Sequence, residues 1–232
     1  LARVIEYDPH RSLERLELQR ISKASAEQRA GRGGRTAPGQ AIRLWSQKQH
    51  HALTDFQTPE VMRIDLAATV LAILAWGHGD PHTFPWFEPP PREAIESARR
   101  LLEMLGAITD AEPARLTSLG ERMLSLPVHP RLARLLVEAV RSGMAEEGAA
   151  IAAILSEKDF LTLDRPEPMQ IRTGGVHSQS DLLVRLDLLR QAESARFAAS
   201  LRDRQIDPSA ARHVCRTRDQ LLRIARRIRC EQ

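Results

Sequence analysis

The chain has 232 residues, of which 42 % are apolar, 28 % charged and only 4 % aromatic, and its formal net charge is +4. This composition indicates a soluble globular protein with room for one large domain or two to three small ones. The longest apolar run, residues 66–76, is too short to cross a bilayer. Residues 1–20 mix charged with apolar side chains, so we expect no secretory signal in them.

The first 45 residues predict an incomplete α/β segment. Val4–Asp8 and Ser12–Ile21 favour strands, and Gln40–Trp45 favours a third strand with Ile42 and Leu44 available for burial. Three short strands and the helix between them are too few to close a core. Because the chain also opens without Met, we interpret it as a fragment that begins in the tail of a larger α/β domain.

Three arginines and three glycines are compressed into the segment Gln28–Arg35. A capping box of Ser25 and Gln28 predicts that a helix begins near Ser25 and runs into this segment. Gln28, Arg32 and Arg35 then follow the spacing i, i+4 and i+7. This spacing puts them on one helix face provided that the helix persists to Arg35, and Gly33 and Gly34 weaken it there. Such a face suits a polyanion, and the alternative is an arginine-rich turn on a solvated surface.

One glycine of this segment favours the first interpretation. Gly31 lies inside the predicted helix, where glycine costs about 1 kcal/mol relative to alanine. A surface helix gains nothing from that cost, so we expect another backbone or a ligand to approach Gly31 closely.

Residues 58–125 predict two helices followed by a hairpin, which is the outline of a winged helix. Thr58 and Pro59 are expected to start a helix that runs to Trp76, and a proline-rich loop follows over residues 81–91. A second helix closes at Gly106 and carries an apolar stripe of Ile95, Ala98, Leu101, Leu102 and Leu105. Residues 107–109 and 115–117 favour the two arms of the hairpin. Since this region is acidic, we interpret it as a connecting module rather than a reader of the DNA major groove.

From residue 126 the sequence predicts a helical bundle. The expected elements are helices over Arg131–Ser142 and Glu146–Ser156, a polar loop over Glu157–Ser178, a helix from Ser180 to about Ser200, and a last helix from Asp207. The last helix has an apolar stripe of Val214, Leu221, Leu222, Ala225 and Ile228. Off that stripe it carries Arg212, Arg216, Arg218, Arg223, Arg226, Arg227 and Arg229.

This arginine face has two interpretations. It is either a surface that follows the phosphates of single-stranded nucleic acid, or a solvated face that at most docks an acidic neighbour. The second is favoured because no aromatic residue on the helix offers a stacking platform. The charge is nevertheless uneven, with +4 over residues 1–45, −4 over 46–125, −1 over 126–200 and +5 over 201–232. The basic ends suggest phosphate contacts.

Cys215 and Cys230 are the only cysteines. Fifteen residues along one helix separate them by about 22 Å, which is too far for a disulfide. Free thiols favour a reducing compartment. The histidine spacings predict no metal site within this chain.

The segment Gln28–Arg35 resembles motif VI of superfamily two helicases, in the Q-R-x-G-R-x-G-R form typical of DEAH-box enzymes. The resemblance covers residues 1 to about 160, and the lead-in Ile21–Ser25 with Trp45 is most similar to the bacterial HrpB branch. It continues in four further segments that look like the family's winged-helix and ratchet-like helicase-associated domains: Thr58–Arg63, Pro89–Pro91, Leu116–Gly120 and Leu126–Leu132.

This resemblance implies a mixed fold, α/β at first and then mainly α. Residues 1–50 would be the C-terminal piece of the second RecA-like domain, with motif VI. Residues 51–125 would be a winged-helix domain, and residues 126–232 a ratchet-like helical bundle.

The resemblance also implies a cytoplasmic, ATP-driven RNA helicase that binds ATP with Mg²⁺ in the cleft between two RecA-like domains. Arg32 and Arg35 would be catalytic arginines near the γ-phosphate, and Gln28 would bind the ATP phosphates together with them. Arg29 would point away from this face. Gly33 stands where the family commonly has alanine, which is expected to loosen the helix between Arg32 and Arg35. The bundle would form part of a channel for single-stranded RNA or other nucleic acid.

The chain has neither a G-x-x-x-x-G-K-[ST] phosphate loop nor the DEAH carboxylate pair that holds Mg²⁺. We therefore expect both in upstream RecA-like domains of a longer parent, and we expect the 232 residues alone to hydrolyse no ATP. Two function classes without catalysis are the alternatives. One is a winged-helix nucleic-acid binder, which the charge of −4 over residues 46–125 disfavours, and the other is a protein-interaction module that docks through the bundle and the polar loop.

Overall fold

The polypeptide begins with two antiparallel strands. In the computed structural model, which describes residues 1–8, 13–111, 113–162 and 180–229, β1 (Ala2–Asp8) pairs with β2 (Leu13–Gln19). Ala2 lies opposite Gln19, and the register continues to the pair of Asp8 and Leu13. Both strands confirm the sequence prediction, and they form the one sheet found in the described ranges.

The prediction of a third strand over residues 40–45 is wrong. These residues have no regular structure, and Ile42 and Leu44 are 83 % and 91 % exposed. A strand is held by hydrogen bonds to a neighbouring strand, and no described segment pairs with residues 40–45. The alternating pattern is therefore present in the sequence without the partner that would make it a buried strand.

Two short helices follow strands β1 and β2. The first, α1 (Lys23–Arg32), is capped by Ser22, whose Oγ accepts a hydrogen bond from Ser25 N at 3.1 Å. The predicted capping box of Ser25 with Gln28 is thus wrong. The helix begins about one turn earlier, because the hydroxyl of Ser22 serves as the N-cap. The second, α2 (Gln47–His51), is a five-residue helix that the sequence interpretation missed, although Ser46 and Gln49 form a complete capping box.

The next two helices carry the apolar residues of the predicted winged helix. Instead of one helix over residues 59–76, the chain makes a 3₁₀ turn at Glu60–Met62 and then α3 (Ala67–Ala75). The N-cap of α3 is Leu66, and Asp65 Oδ1 accepts a hydrogen bond from Ala67 N, the first residue of the helix, at 2.6 Å. After the proline-rich loop, α4 (Arg92–Met104) buries Ile95, Ala98, Leu101 and Leu102, as the stripe predicts, while Leu105 is only partly buried.

The predicted hairpin is present in its shortest form. Ile108 and Leu116 form a single antiparallel bridge, flanked by hydrogen bonds from Thr109 N to Arg115 O at 2.8 Å and from Thr117 N to Ala107 O at 3.0 Å. Thr117 then caps α5 (Ser118–Leu124). Helix α5 is the element that this part of the sequence interpretation omitted.

The remaining helices build the predicted bundle. They are α6 (Pro130–Arg141), α7 (Ala145–Ser156), α8 (Asp181–Ser194), a 3₁₀ helix at Ala199–Arg204 and α9 (Pro208–Arg229). Helix α7 packs against both α6 and α9, and a Cβ on Gly148 would lie 2.3 Å from Ala139 Cβ, so the α6–α7 approach requires glycine there. Helix α8 ends six residues before the predicted Ser200. Most of the predicted polar loop lies outside the described residues.

By its internal contacts the chain divides into two compact units, residues 1–102 with 112–114, and residues 103–111 with 115–232. The described part of the chain is mainly helical. The small sheet of β1 and β2 comes first, then the helices around the predicted hairpin, and then the bundle. The three domain boundaries, the RecA-like character of residues 1–50 and the ratchet-like layout stay predictions. Among the described residues, no helix has both the length and the apolar character that a membrane span requires.

Candidate functional site: the arginine and glycine segment

Helix α1 is fixed at its first turn. Lys23 N and Ala24 N donate hydrogen bonds to the carbonyl oxygens of Thr54 and Asp55 at 2.8 and 3.0 Å, which satisfies two of the N–H groups that a helix start leaves open. Lys23 Nζ also lies 2.8 Å from Asp55 Oδ1, and this ion pair lowers the pKa of the Asp55 carboxyl. Ala26, in the first half of α1, is the buried residue of this helix. The helix is therefore anchored at its N-terminal end, and its C-terminal half is exposed.

The three side chains predicted to bind phosphate all lie in that exposed part. Gln28, Arg32 and Arg35 are exposed, and none of them makes a hydrogen bond or ion pair with another described residue. Gln28 and Arg32 lie one helical turn apart on the same face, as the spacing predicts. The helix ends at Arg32, with Gly33 as its C-cap, so the prediction that the helical face extends to Arg35 is wrong. Arg35 lies instead in the turn that follows.

This turn is closed by a backbone contact at Gly39. A Cβ built on Gly39 would lie 1.9 Å from the carbonyl oxygen of Gly33, so only glycine allows the chain to return this closely. Residues 33–39 consequently form a closed loop that carries Arg35 beside the end of α1. The sequence interpretation treated Pro38-Gly39 only as a turn and missed this contact.

Gly33 and Gly31 differ from the prediction. Gly33 has right-handed helical backbone angles, φ −68° and ψ −18°, and a Cβ there would meet Ala30 O at an ordinary 3.4 Å. Alanine therefore fits this position, and the glycine does not distort the helix end. At Gly31 no described atom outside α1 lies within 4 Å of an added Cβ, so the close approach expected there is not supplied by the described part of the chain.

The arrangement is suited to binding a compact anion. Arg32 and Arg35 present two guanidinium groups within four residues, and a guanidinium donates paired hydrogen bonds that match phosphate oxygens. No described carboxylate neutralises either group. The described residues contain no cluster of three or more His, Cys, Asp or Glu side chains that could hold a metal ion.

A cavity of about 250 Å³ lies in the same unit. It is lined by Leu1, Arg20, Ile21, Leu44, Trp45, Gln49 and Leu53. The Trp45 Nε1 atom is buried and has no hydrogen-bond partner among the described residues. Trp45 was predicted as the end of a strand and as part of the family resemblance, and its position in this cavity wall was not predicted.

Comparisons with known proteins identify the type of chain. Residues 98–128 match the winged-helix helicase-associated domain (HA2) family. The chain is 37 % identical over 224 residues to the ATP-dependent RNA helicase HrpA of Escherichia coli, which covers 93 % of this chain and 16 % of that protein. It is 41 % identical over 155 residues to the ATP-dependent RNA helicase HrpB of the same organism, which covers 67 % of this chain and 19 % of that protein.

A solved structure shows the same similarity. The crystal structure of the E. coli DExH-box NTPase HrpB matches 97 % of this chain, and 23 % of its own, with a TM-score of 0.61 at 32 % sequence identity. The chain therefore spans less than a quarter of the length of each of these relatives. The HA2 match also confirms the winged helix that the two helices and the hairpin predict. The winged-helix match, the identities to HrpA and HrpB and the structural similarity together show that the chain belongs to the DEAH-box helicase family, of which it represents a C-terminal part.

Proposed function

We propose that this chain acts as part of an ATP-dependent RNA helicase and supplies the arginine side of its ATP site. The observation that supports this most directly is the pair of exposed, unpaired guanidiniums of Arg32, at the C-terminal end of α1, and Arg35, on the loop that follows. The choice of ATP as the nucleotide and RNA as the polymer rests on the names of the relatives, which are ATP-dependent RNA helicases.

Each residue has a distinct part in this proposal. Arg32, at the end of α1, and Arg35, on the closed loop, bind the terminal phosphate and stabilise the charge that spreads over its oxygens during transfer. Gln28, one turn before Arg32, orients a phosphate oxygen or the attacking water. Mg²⁺ bound with ATP would neutralise further phosphate charge, and its ligands come from RecA-like domains elsewhere in the same parent chain.

The RNA-binding part of the proposal concerns the second compact unit. Its helices α6 to α9 form part of the channel that holds single-stranded RNA, in a helicase that works in the cytoplasm. The 232 residues alone are expected to hydrolyse no ATP, because they lack the phosphate loop and the carboxylate pair. Measurable ATP turnover by the isolated chain would contradict the expectation that hydrolysis requires RecA-like domains elsewhere in the parent chain.

The proposal is tested by arginine substitutions in the full-length helicase that contains this segment. Arg32→Ala and Arg35→Ala are each expected to lower the ATP hydrolysis rate by about 10³-fold or more, the loss typical of an arginine finger, while RNA binding is largely kept. Arg29→Ala is the matched control, since Arg29 lies on the same exposed helix but off the face of Gln28 and Arg32. Hydrolysis that is equally fast in all three variants would refute the assigned roles.

A further inference from the structure

A pocket of about 180 Å³ opens between α5, α6 and the end of α9, within the second compact unit. Its wall is aliphatic and consists of Leu119 on α5, Val137 and Val140 on α6, and Ile228 on α9. Three of these side chains, Val137, Val140 and Ile228, are only 7 to 8 % exposed and belong to the core. The packing of α6 against α5 and α9 therefore holds the pocket in shape. We call it the α5–α6 pocket.

The rim of the α5–α6 pocket carries more positive than negative charge. Arg122 on α5 and Arg134 and Arg141 on α6 line it, together with one carboxylate, that of Glu138. Arg134 Nη2 lies 3.4 Å from Glu138 Oε2, and Arg141 pairs with the other oxygen of the same carboxylate. Glu138 is thus already shared by two guanidiniums, and it leaves the charge of Arg122 without compensation.

Arg122 is held against the wall of the pocket by its own helix. It is partly buried, and its Nε donates a hydrogen bond to Ser118 O at 3.2 Å. No other described residue accepts a hydrogen bond from its guanidinium. Glu121 precedes it in the sequence, but Glu121 is exposed and does not line the pocket. Because a charge that is partly removed from water is costly without a counter-charge, this placement favours an anionic ligand.

Other arginines with a similar degree of burial have carboxylate partners. In the described part of the second unit, four arginines are partly buried, and three of them form ion pairs. These pairs are Arg134 with Glu138, Arg185 with Asp159 and Arg218 with Glu193. Arg122 is the fourth and has no carboxylate partner among the described residues. Partial burial in this unit is thus accompanied by a counter-charge everywhere except at the pocket.

The size of the pocket matches a single side chain. Sites for small organic ligands typically enclose about 300 to 1,000 Å³. The α5–α6 pocket is smaller, at about 180 Å³, and it is open on one side. An apolar side chain of the size of leucine fits among the aliphatic walls, while the backbone that carries it lies outside. The neighbouring residues of that backbone then face the arginines of the rim.

We propose that the α5–α6 pocket binds a peptide segment of a partner protein in which an apolar side chain is flanked by carboxylates. The apolar side chain inserts between Val137, Val140 and Ile228. One flanking carboxylate accepts paired hydrogen bonds from Arg122, and the other pairs with the exposed Arg141. Charge complementarity selects an acidic peptide, and the aliphatic walls favour a peptide over RNA, whose backbone has no apolar side chain to fill them. The site depends on neither the ATP nor the RNA of the proposed function.

The test titrates the 232-residue chain with a ten-residue peptide that has one leucine between two aspartates in a background of glycine and serine. Fluorescence anisotropy of the fluorescein-labelled peptide measures the affinity, and methyl NMR spectra of the chain with unlabelled peptide locate the site. The methyl signals of Val137, Val140 and Ile228 are expected to shift. Those of Ile206, which is fully buried in the same unit and does not line the pocket, are expected to keep their positions.

Both parts of the peptide are expected to contribute. Serine in place of the leucine should weaken binding at least 10-fold, because the buried apolar area is lost. Asparagine in place of both aspartates should weaken it at least 10-fold and remove most of its salt dependence. Arg122→Gln should weaken binding of the aspartate peptide about 10-fold and that of the asparagine peptide by less than about 2-fold. The variant and the peptide change remove the same ion pair, so their effects do not add.

The matched control is Arg115→Gln, which removes an exposed arginine of the same unit that does not line the pocket. It is expected to bind the aspartate peptide within about 2-fold of the unmodified chain. Equal losses in Arg115→Gln and Arg122→Gln would overturn the proposal, because overall charge would then explain the binding. Circular dichroism melts establish that each variant is folded, and the two altered peptides test the site without any change to the protein.

Two further results would overturn the proposal. One is an aspartate peptide that shifts none of the methyl signals of the pocket. The other is an oligouridine that shifts the same signals at a lower concentration than the peptide does, since RNA would then be the occupant of the pocket.

Discussion

Helices α1 and α9 present arginine in two different ways. Helix α1 has ten residues and ends at Arg32, and Arg35 follows three residues later on the closed loop. Helix α9 has 22 residues, and it spreads its outward arginines along a line. Two guanidiniums close together in sequence match a compact charge such as a terminal phosphate, whereas a line of them matches a polymer. The spacing of the same residue type thus distinguishes two kinds of anionic ligand.

The two regions also depend on different forces. The start of α1 is positioned by the backbone contacts of Lys23 and Ala24 with residues 54–55, and the loop after its end is closed by the contact of Gly39 with Gly33. The outer face of α9 is positioned by the apolar residues that its inner face buries. Substitutions in the core should therefore disturb α9, and substitutions at the loop glycines should disturb α1.

The largest expected effect concerns the core beneath α9. Phe160 is 1 % exposed, and its carbonyl oxygen accepts a hydrogen bond from Asp207 N at 2.8 Å, immediately before α9 begins. Phe160→Ala removes a large buried ring and leaves a cavity, so we expect the free energy of unfolding to fall by about 3 to 5 kcal/mol. Guanidinium denaturation followed by circular dichroism measures this loss.

A second phenylalanine provides the matched control. Phe56 is 78 % exposed, so Phe56→Ala is expected to change the free energy of unfolding by less than about 0.5 kcal/mol. Similar losses in the two variants would mean that burial at Phe160 does not position the start of α9.

The next effect concerns the loop that carries Arg35. In Gly39→Ala the new Cβ would lie 1.9 Å from Gly33 O, so the loop has to open and Arg35 has to move. A displacement of about 1 Å at a catalytic group typically costs about 100-fold in rate. We therefore expect ATP hydrolysis by the full-length helicase to fall by about that factor.

Gly33→Ala is the control on the same loop. Its backbone is right-handed helical and the added Cβ meets no close atom, so alanine is expected to stabilise the chain by about 0.4 to 1 kcal/mol without loss of hydrolysis. Equal activities of the two alanine variants would show that loop closure at Gly39 does not position Arg35.

The sequence was sufficient for elements whose signals are local. The apolar stripe of α4, the Gly106 stop and the start of α9 at Asp207 and Pro208 all agree with the structure. Spacing also predicted that Gln28 and Arg32 share a face. These features depend on residues three or four positions apart, which a periodic pattern records directly.

Features that depend on distant contacts were not predictable in this way. The third strand failed because the sequence of residues 40–45 contains no information on whether a partner strand lies beside it. Gly39 was read as a turn because its contact with Gly33 appears only when the loop is closed. The contact of the Phe197 ring with Arg212 was missed for the same reason, since a turn from another helix brings the two together.

The smallest expected effect separates a paired arginine from the unpaired ones. Arg218, the inward arginine of α9, is only 13 % exposed and binds both oxygens of Glu193, at 2.7 and 2.8 Å. This paired hydrogen bonding, partly offset by burial, lowers the pKa of the Glu193 carboxyl. Since Glu193 itself is partly exposed, we expect Glu193→Gln to cost only about 1 kcal/mol at pH 7.

The pH dependence of this loss gives the sharper measurement. A carboxyl whose pKa is lower in the folded chain than in the unfolded chain binds fewer protons when folded, so its stabilisation is complete above the unfolded value of about 4.3. It is lost as the pH falls through the lowered folded pKa. Chemical denaturation of Glu193→Gln and of the unmodified chain between pH 7 and pH 3 should therefore show unfolding free energies that differ at neutral pH and converge in acid.

The control is Glu138→Gln, at a more exposed pair on α6, which should show a smaller difference from the unmodified chain at pH 7. A difference between Glu193→Gln and the unmodified chain that persisted at pH 3 would mean that Arg218 is held by packing rather than by its carboxylate. Its contrast with Arg32 and Arg35 would then no longer be one of charge pairing.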